Sequence, residues 1–232
     1  MKSAAALRIL NNEIIECRKC PRLVVYRESV AREKRRAFMD CNYWGRPVPG
    51  FGDPRAQLLI LGLAPAAHGG NRTGRVFTGD RSGDFLYGLL YKAEFASQPI
   101  STHRGDGLTL RNAYVAAAVR CAPPANRPLP SEIAHCRPYL ERELEILRPR
   151  ALLALGALAF NTYLNVLKDR GVIRSRSAFP FSHGAEYEMP PGWPRLFASY
   201  HPSQQNTFTG KLTEAMFLGL LTRVRRFLVS PT

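Results

Sequence analysis

The sequence predicts an α/β domain in which a parallel sheet is covered by helices on both sides. Four short, nearly continuous apolar runs rich in Val, Ile, Leu and Ala recur at residues 57–63, 113–119, 151–155 and 195–200, as in strands buried on both faces. Amphipathic stretches of helical period separate them, which is the alternation of a parallel sheet. At 232 residues with 45% apolar content, the chain can bury one substantial core and is too short for several; it reads as a single domain over residues 1–232.

In chain order, residues 1–16 hold only a short apolar stretch and carry Glu13 and Glu16. They lack the apolar core and small-residue cleavage site of a signal peptide, and no run reaches the length of a membrane span. Residues 21–54 have no strong period and are expected to wrap the domain as an irregular arm with one short basic helix. The first strand, 57–63, precedes a helix at 83–93. The second, 113–119, precedes a helix at 131–147, with Ser131 as its N-cap and Pro149 ending it. The third strand, 151–155, leads into a helix at 158–168, and the fourth, 195–200, into one at 213–228. No internal repeat or low-complexity tract interrupts this order.

Thirty-three Lys and Arg against eighteen Asp and Glu leave a formal charge of +15. Such a charge attracts a polyanion at long range and gives salt-dependent binding, so nucleic acid is the leading partner. The basic residues are scattered through the chain rather than gathered in a tail, which fits a folded basic surface. An intracellular, cytoplasmic setting is expected, with cysteines reduced or metal-bound rather than oxidised.

Five cysteines occur. Cys17 and Cys20 form a Cys-x-x-Cys pair, while Cys121 and Cys136 flank a Pro-rich loop and the start of a helix. Four thiolates suit a tetrahedral zinc ion or a four-iron cluster, and the pair alone would equally suit a redox couple. Cys41, beside Asn42, Tyr43 and Trp44, reads as a packed thiol.

In a parallel sheet, ligand sites collect beyond the carboxyl ends of the strands. The loop after the first strand runs from Gly62 through Ala64, Ala66, His68, Arg72, Arg75, Phe77 and Gly79 to Asp80. Its small residues allow close approach to backbone amides, and Arg72 and Arg75 are placed to neutralise phosphate. It lacks the Gly-Lys-Ser/Thr ending of a Walker loop. The loop after the fourth strand reads Tyr200-His201-Pro202-Ser203-Gln204-Gln205-Asn206-Thr207, where His201 offers a donor or acid near neutral pH.

Together, Gly62-Leu63-Ala64-Pro65, Phe77-Thr78-Gly79-Asp80, Cys121-Ala122-Pro123-Pro124-Ala125-Asn126, His201-Pro202-Ser203 with Gln205-Asn206-Thr207, and the four-cysteine spacing resemble the type b, or family 5, uracil-DNA glycosylases. The resemblance runs from Cys17 to about Phe217. It implies a three-layer α/β/α fold with a four-stranded parallel sheet, and a 4Fe-4S cluster on Cys17, Cys20, Cys121 and Cys136 that ties the N-terminal arm to the core. It implies a monofunctional glycosylase of base excision repair, acting as a monomer on double-stranded DNA and on single-stranded DNA.

Leu63 stands where family 4 relatives carry an acid, and Ala117 where they carry a uracil-reading Asn. Both departures are typical of family 5, whose members accept hypoxanthine, xanthine and cytosine adducts beside uracil. Ala66 replaces a Gly of many relatives. With Leu63 unable to ionise, Asp80 is the best remaining carboxylate, to orient water or support the sugar cation. The resemblance gives His201 the role of donor to the leaving base. It gives Phe77 a stacking role, Asn126 and the amides near Ala64 and Ala66 contacts to the base, and Ser203, Gln204, Gln205 and Asn206 the filling of the gap in the DNA. A non-catalytic zinc-binding nucleic-acid module would share the charge and the cysteines, and a redox protein the cluster.

Overall fold

The four apolar runs form the centre of one sheet in the computed structural model, which describes residues 2–230. In chain order the elements are α1 (Lys2–Ile15), α2 (Pro21–Glu33), β1 (Phe51–Gly52), β2 (Leu58–Gly62), α3 (Gly70–Thr73), α4 (Arg81–Lys92), β3 (Ala113–Ala117), α5 (Pro130–Leu147), β4 (Ala151–Leu155), α6 (Ala157–Asp169), β5 (Glu186–Tyr187), β6 (Arg195–Ser199), α7 (Gln204–Phe208) and α8 (Glu214–Val229). The sheet order is β1-β3-β2-β4-β6-β5. The inner strands β3, β2, β4 and β6 are parallel, as expected. The expected four-stranded sheet is corrected to six, because β1 and β5 add two-residue antiparallel pairings at the edges. Strands so short leave no periodic signal.

Successive strand residues face opposite layers, which is why each inner strand is apolar throughout. Leu58, Ile60, Val115, Leu153 and Phe197 pack with α4 and α8, through Leu86, Leu90, Phe217, Leu221 and Val224. Leu59, Leu61, Tyr114, Leu152 and Leu196 pack with α5 and α6, through Leu140, Leu144, Phe160 and Tyr163, and with Leu7 of α1. The three layers follow from this alternation.

Two corrections concern helix starts and the arm. Helix α5 begins one residue earlier than expected and is capped at Leu129 rather than Ser131. Pro130 at the first position needs no N–H partner, and Glu132 Oε2 accepts the Leu129 N–H at 2.7 Å. The one basic helix expected in residues 21–54 is α2, whereas α1 before it was not expected. Leu7, Leu10 and Ile14 form a helical stripe that buries α1, which also pairs Glu13 with Arg142 of α5. Helix α2 starts on Pro21 and runs thirteen residues. Among the described residues no helix is long and apolar enough to cross a membrane.

Candidate active site

The loop leaving β2 returns across its own strand end. Phe77 sits in the left-handed region at φ 50°, and its ring lies over Gly62, where a Cβ would stand 2.7 Å from the ring. Glycine at that strand end is therefore a matter of room. From the far side the imidazole of His201, just beyond β6, approaches Phe77 with ring centroids 5.8 Å apart and planes 34° apart. The two residues expected to hold a flipped base are thus brought together at the carboxyl ends of β2 and β6.

Asp80 follows three residues after Phe77 and caps α4, with Oδ1 accepting the Gly83 N–H at 3.0 Å. Its other oxygen lies against Gly69, where a Cβ would stand 1.9 Å from Oδ2. Burial pushes the Asp80 carboxyl above its ordinary range, while the amides of Gly83 and Ser82 pull it back. The carboxylate is held at a helix N-terminus, where negative charge is favoured, and it is largely withdrawn from bulk water. Gly69 gave no signal in the sequence beyond the Gly69-Gly70 doublet.

A buried polar network holds this segment from beneath and corrects the expected role of Arg75. Arg75 is only 3% exposed. It reaches Asp106 Oδ1 at 2.9 Å and Oδ2 at 2.5 Å, Ser101 Oγ at 2.8 Å and Thr78 Oγ1 at 3.0 Å. The guanidinium holds the Asp106 carboxyl well below the usual range, with help from the amides of Leu108 and Thr102 and against the opposing effect of burial. Four of its five N–H donors are spent in this buried pair and its neighbours, which withdraws the guanidinium from phosphate. Arg72 is also committed: Nε donates to the His68 carbonyl and Nη2 to the Gly79 carbonyl, both at 2.8 Å, and the guanidinium stacks on Phe38. Arg75 is thereby withdrawn from any DNA face, while the half-buried Arg72 helps to shape the loop.

His201 is half-buried, and burial pushes its pKa down to about 4. It is a neutral imidazole at pH 7, able to donate one N–H. Asn206 Nδ2 donates to the His201 carbonyl at 2.8 Å, and Ser203 caps α7 through the Asn206 N–H. Ser203 and Asn206 therefore brace the His201 loop, while Gln204 and Gln205 point outward. Sequence reasoning missed the most prominent side chain here. Phe208, 69% exposed at the end of α7, carries the Arg81 guanidinium 5.4 Å from its ring centroid, and Arg81 directly follows Asp80. An aromatic inside a polar loop was its available signal.

Other expected residues are less tightly assembled. Among the described residues, no hydrogen bond takes up the amides of Ala64 or Ala66. Asn126 is exposed on the loop after β3 at φ 56°, beside Ala125 at φ 52°, and makes no hydrogen bond to Phe77, Asp80 or His201. That loop is clamped to the arm: Arg22 donates to both oxygens of Glu132, at 2.8 and 2.7 Å, and to the Arg127 carbonyl at 3.2 Å.

Cys17, Cys20, Cys121 and Cys136 line one small cavity together with Arg27, Arg120 and His135. Among the described residues no three His, Cys, Asp or Glu side chains converge as a single-ion site. Burial pushes the Cys20 thiol up to about 11 and Cys121 to about 12. Arg27, 2% exposed, donates to Cys121 Sγ at 2.9 Å, and its Nε has no partner. The pair Arg120–Glu143, 1% and 0% exposed, locks the exit of β3 to α5 and so holds Cys121 beside Cys136. Cys41 lies outside this group.

A family model described as the uracil DNA glycosylase superfamily matches residues 49–225. Type-5 uracil-DNA glycosylases resemble the chain over most of their own length. The Thermus thermophilus protein is 53% identical over 90% of this chain and 93% of its own, the Mycobacterium tuberculosis protein 51% over 92% and 78%, and the Pyrobaculum aerophilum protein 44% over 91% and 89%. With Phe77, Asp80 and His201 placed by the fold, the matched segment contains the whole of the strand-end site, and the chain belongs to the uracil-DNA glycosylase superfamily, within its type-5 group.

Proposed function

We propose that the protein flips uracil and related deaminated bases out of DNA and hydrolyses their N-glycosidic bonds, leaving the strand intact. The observation that carries this reading is the Phe77–His201 ring pair, Phe77 lying over Gly62, with the half-buried Asp80 three residues on from Phe77 at a helix N-terminus.

Cleavage of such a bond develops positive charge on the sugar and negative charge on the departing base. The Asp80 carboxylate supports the sugar cation and orients the attacking water. The neutral His201 imidazole donates its N–H to a carbonyl oxygen of the base, where charge accumulates. Phe77 stacks on the base face, a contact with little preference among bases. Leu63 and Ala117 supply no polar reader, which widens the range to hypoxanthine, xanthine and cytosine adducts. The groups gathered are a carboxylate and an imidazole rather than an amine, so water and not a Schiff base takes the sugar.

The four cysteines fit a 4Fe-4S cluster. Four thiols ring one cavity, and a buried guanidinium with a spare Nε faces them, which suits the negative charge of metal-bound thiolates. When bound, the cluster would cross-link the arm to the core through Cys17 and Cys20 on one side and Cys121 and Cys136 on the other. The chain would then act as one domain and as a monomer.

Release of uracil or hypoxanthine from a labelled duplex tests the reading, repeated with Asp80→Asn and with iron measured in the purified protein. The variant is expected to lose about a hundredfold or more in rate. Absence of an abasic site from every damaged base refutes the function, and full activity in the variant refutes the role of Asp80. Strand scission without alkali refutes the hydrolytic course, and colourless protein holding zinc refutes the cluster.

A further inference from the structure

Asn71 is wholly buried, yet its side chain is only half used. Its Nδ2 donates to the Arg27 carbonyl at 3.1 Å, while Oδ1 has no hydrogen-bond partner. An amide in that state carries a desolvation penalty that an apolar side chain of the same shape avoids. Nor does the Arg27 carbonyl need the bond, because it lies inside α2, where helical geometry already provides a donor. Some other demand keeps an amide here.

That demand is visible in what the bond joins. Asn71 belongs to α3, four residues long and too short to hold its own shape. Its main chain fastens the loop on both sides: the Asn71 N–H donates to the Ala66 carbonyl, and the Asn71 carbonyl accepts the Gly45 N–H, both at 3.0 Å. Gly69, immediately before α3, is the surface against which Asp80 Oδ2 rests. On the other side of the bond, Arg27 reaches Cys121 Sγ and the Cys17 carbonyl. The Asn71 side chain is thus a buried tie between the helix that abuts the cysteine site and the loop that backs Asp80.

We propose that Asn71 is a positioning residue: its bond to α2 fixes the Gly69 backbone against the Asp80 carboxylate and so sets where that carboxylate works. Only the rate readout of the test rests on the glycosylase reading. The groups facing Asp80 are Arg72 from α3, and Asp84 and Tyr87 from α4, beside the amides of Ser82 and Gly83.

The test is Asn71→Leu, which removes the tie at similar volume, with Asn71→Ser as a second variant. Single-turnover base release, KM for duplex, melting temperature, iron content and the Asp80 carboxyl titration by 13C NMR are measured. We expect a rate 10- to 100-fold lower, a KM within twofold, unchanged iron, and an Asp80 titration moved down toward the ordinary range as water reaches the carboxylate. An unchanged rate together with an unchanged Asp80 titration overturns the proposal. So does a loss of rate that follows melting temperature with no Asp80 shift, and so does failure of both variants to fold, since Asn71 would then be framework alone. If the unaltered protein releases no base, the functional reading falls, and the Asp80 titration decides the positioning role by itself.

Discussion

Gly69→Ala puts one methyl group where the Asp80 carboxylate now rests. The added Cβ would stand 1.9 Å from Oδ2 and 2.9 Å from the carboxyl carbon, while real Cβ contacts stay beyond 3.0 Å, so the two must part by at least about 1 Å. The φ of Gly69 is −102°, so glycine is required here by space and not by a left-handed turn. Asp80 has little freedom to yield without cost, because Oδ1 is bound to the first turn of α4. A displacement of about 1 Å in a group that faces the reacting bond is worth on the order of a hundredfold in rate, or about 2.7 kcal/mol of barrier. Overpacking adds a stability loss of about 1–3 kcal/mol, which leaves enough folded protein to assay. The measurement is single-turnover release of uracil from a duplex, with Gly88→Ala as control, since the nearest atom to a Cβ there is 3.9 Å away. We expect Gly69→Ala to be slower by about two orders of magnitude and the control to match the parent. A Gly69→Ala protein with undiminished rate would refute the placement of Asp80 as the working carboxylate.

Two further outcomes follow from the opposite wall of the site. His201 is depressed from 6.5 to about 4 by burial. Above pH 6.5 both folded and unfolded forms hold it neutral, and between pH 6.5 and 4 only the unfolded chain takes the proton, so stability falls as pH falls through that window. The loss is at most about 3.4 kcal/mol, an upper bound because His201 is only half-buried. Denaturant midpoints for His201→Gln should fall less steeply over that range than those of the parent, and parallel curves would count against the burial argument. Phe208, being 69% exposed, costs little to remove from the fold. Phe208→Ala should slow base release from duplex by about tenfold, the worth of one stacking contact, and spare single-stranded DNA. Equal losses on both substrates would exclude a role in holding open the duplex.

The inner strands were legible because burial on both faces writes an unbroken apolar run, and Ala151–Leu155 was found to the residue. Edge strands of two residues write nothing. Helix α1 was missed although Leu7, Leu10 and Ile14 carry its stripe, because the segment was weighed as a leader and not as an element. Of the residues picked out by type and order, the fold brings His201 against Phe77, sets Asp80 at the start of α4, and gathers Cys17, Cys20, Cys121 and Cys136 around one cavity. Arg75 misled for a physical reason: a sequence shows charge but not whether a carboxylate such as Asp106 already spends it. Gly69 and Asn71 were illegible for a related reason. Their importance lies in a close approach and a half-used amide, both of which exist only after folding.

The distribution of charge then has a consistent sense. The chain carries +15 overall, and the cations around the site are engaged: Arg72 on the carbonyls of His68 and Gly79 while still acting on Asp80, Arg81 on Phe208, Lys211 on Tyr200, and Arg75 on Asp106. The groups set at the strand ends are a carboxylate and an imidazole kept neutral by burial. On the proposed mechanism a protonated His201 would favour the departing base but would also oppose the cation on the sugar it leaves, in a medium of low dielectric. A neutral N–H captures the first benefit as a hydrogen bond without incurring the second. On the proposed mechanism the Asp80 carboxylate is then the charge that supports the sugar cation, and Gly69, by admitting Asp80 to a site with no room for a Cβ, is where that arrangement is most exposed to a single substitution.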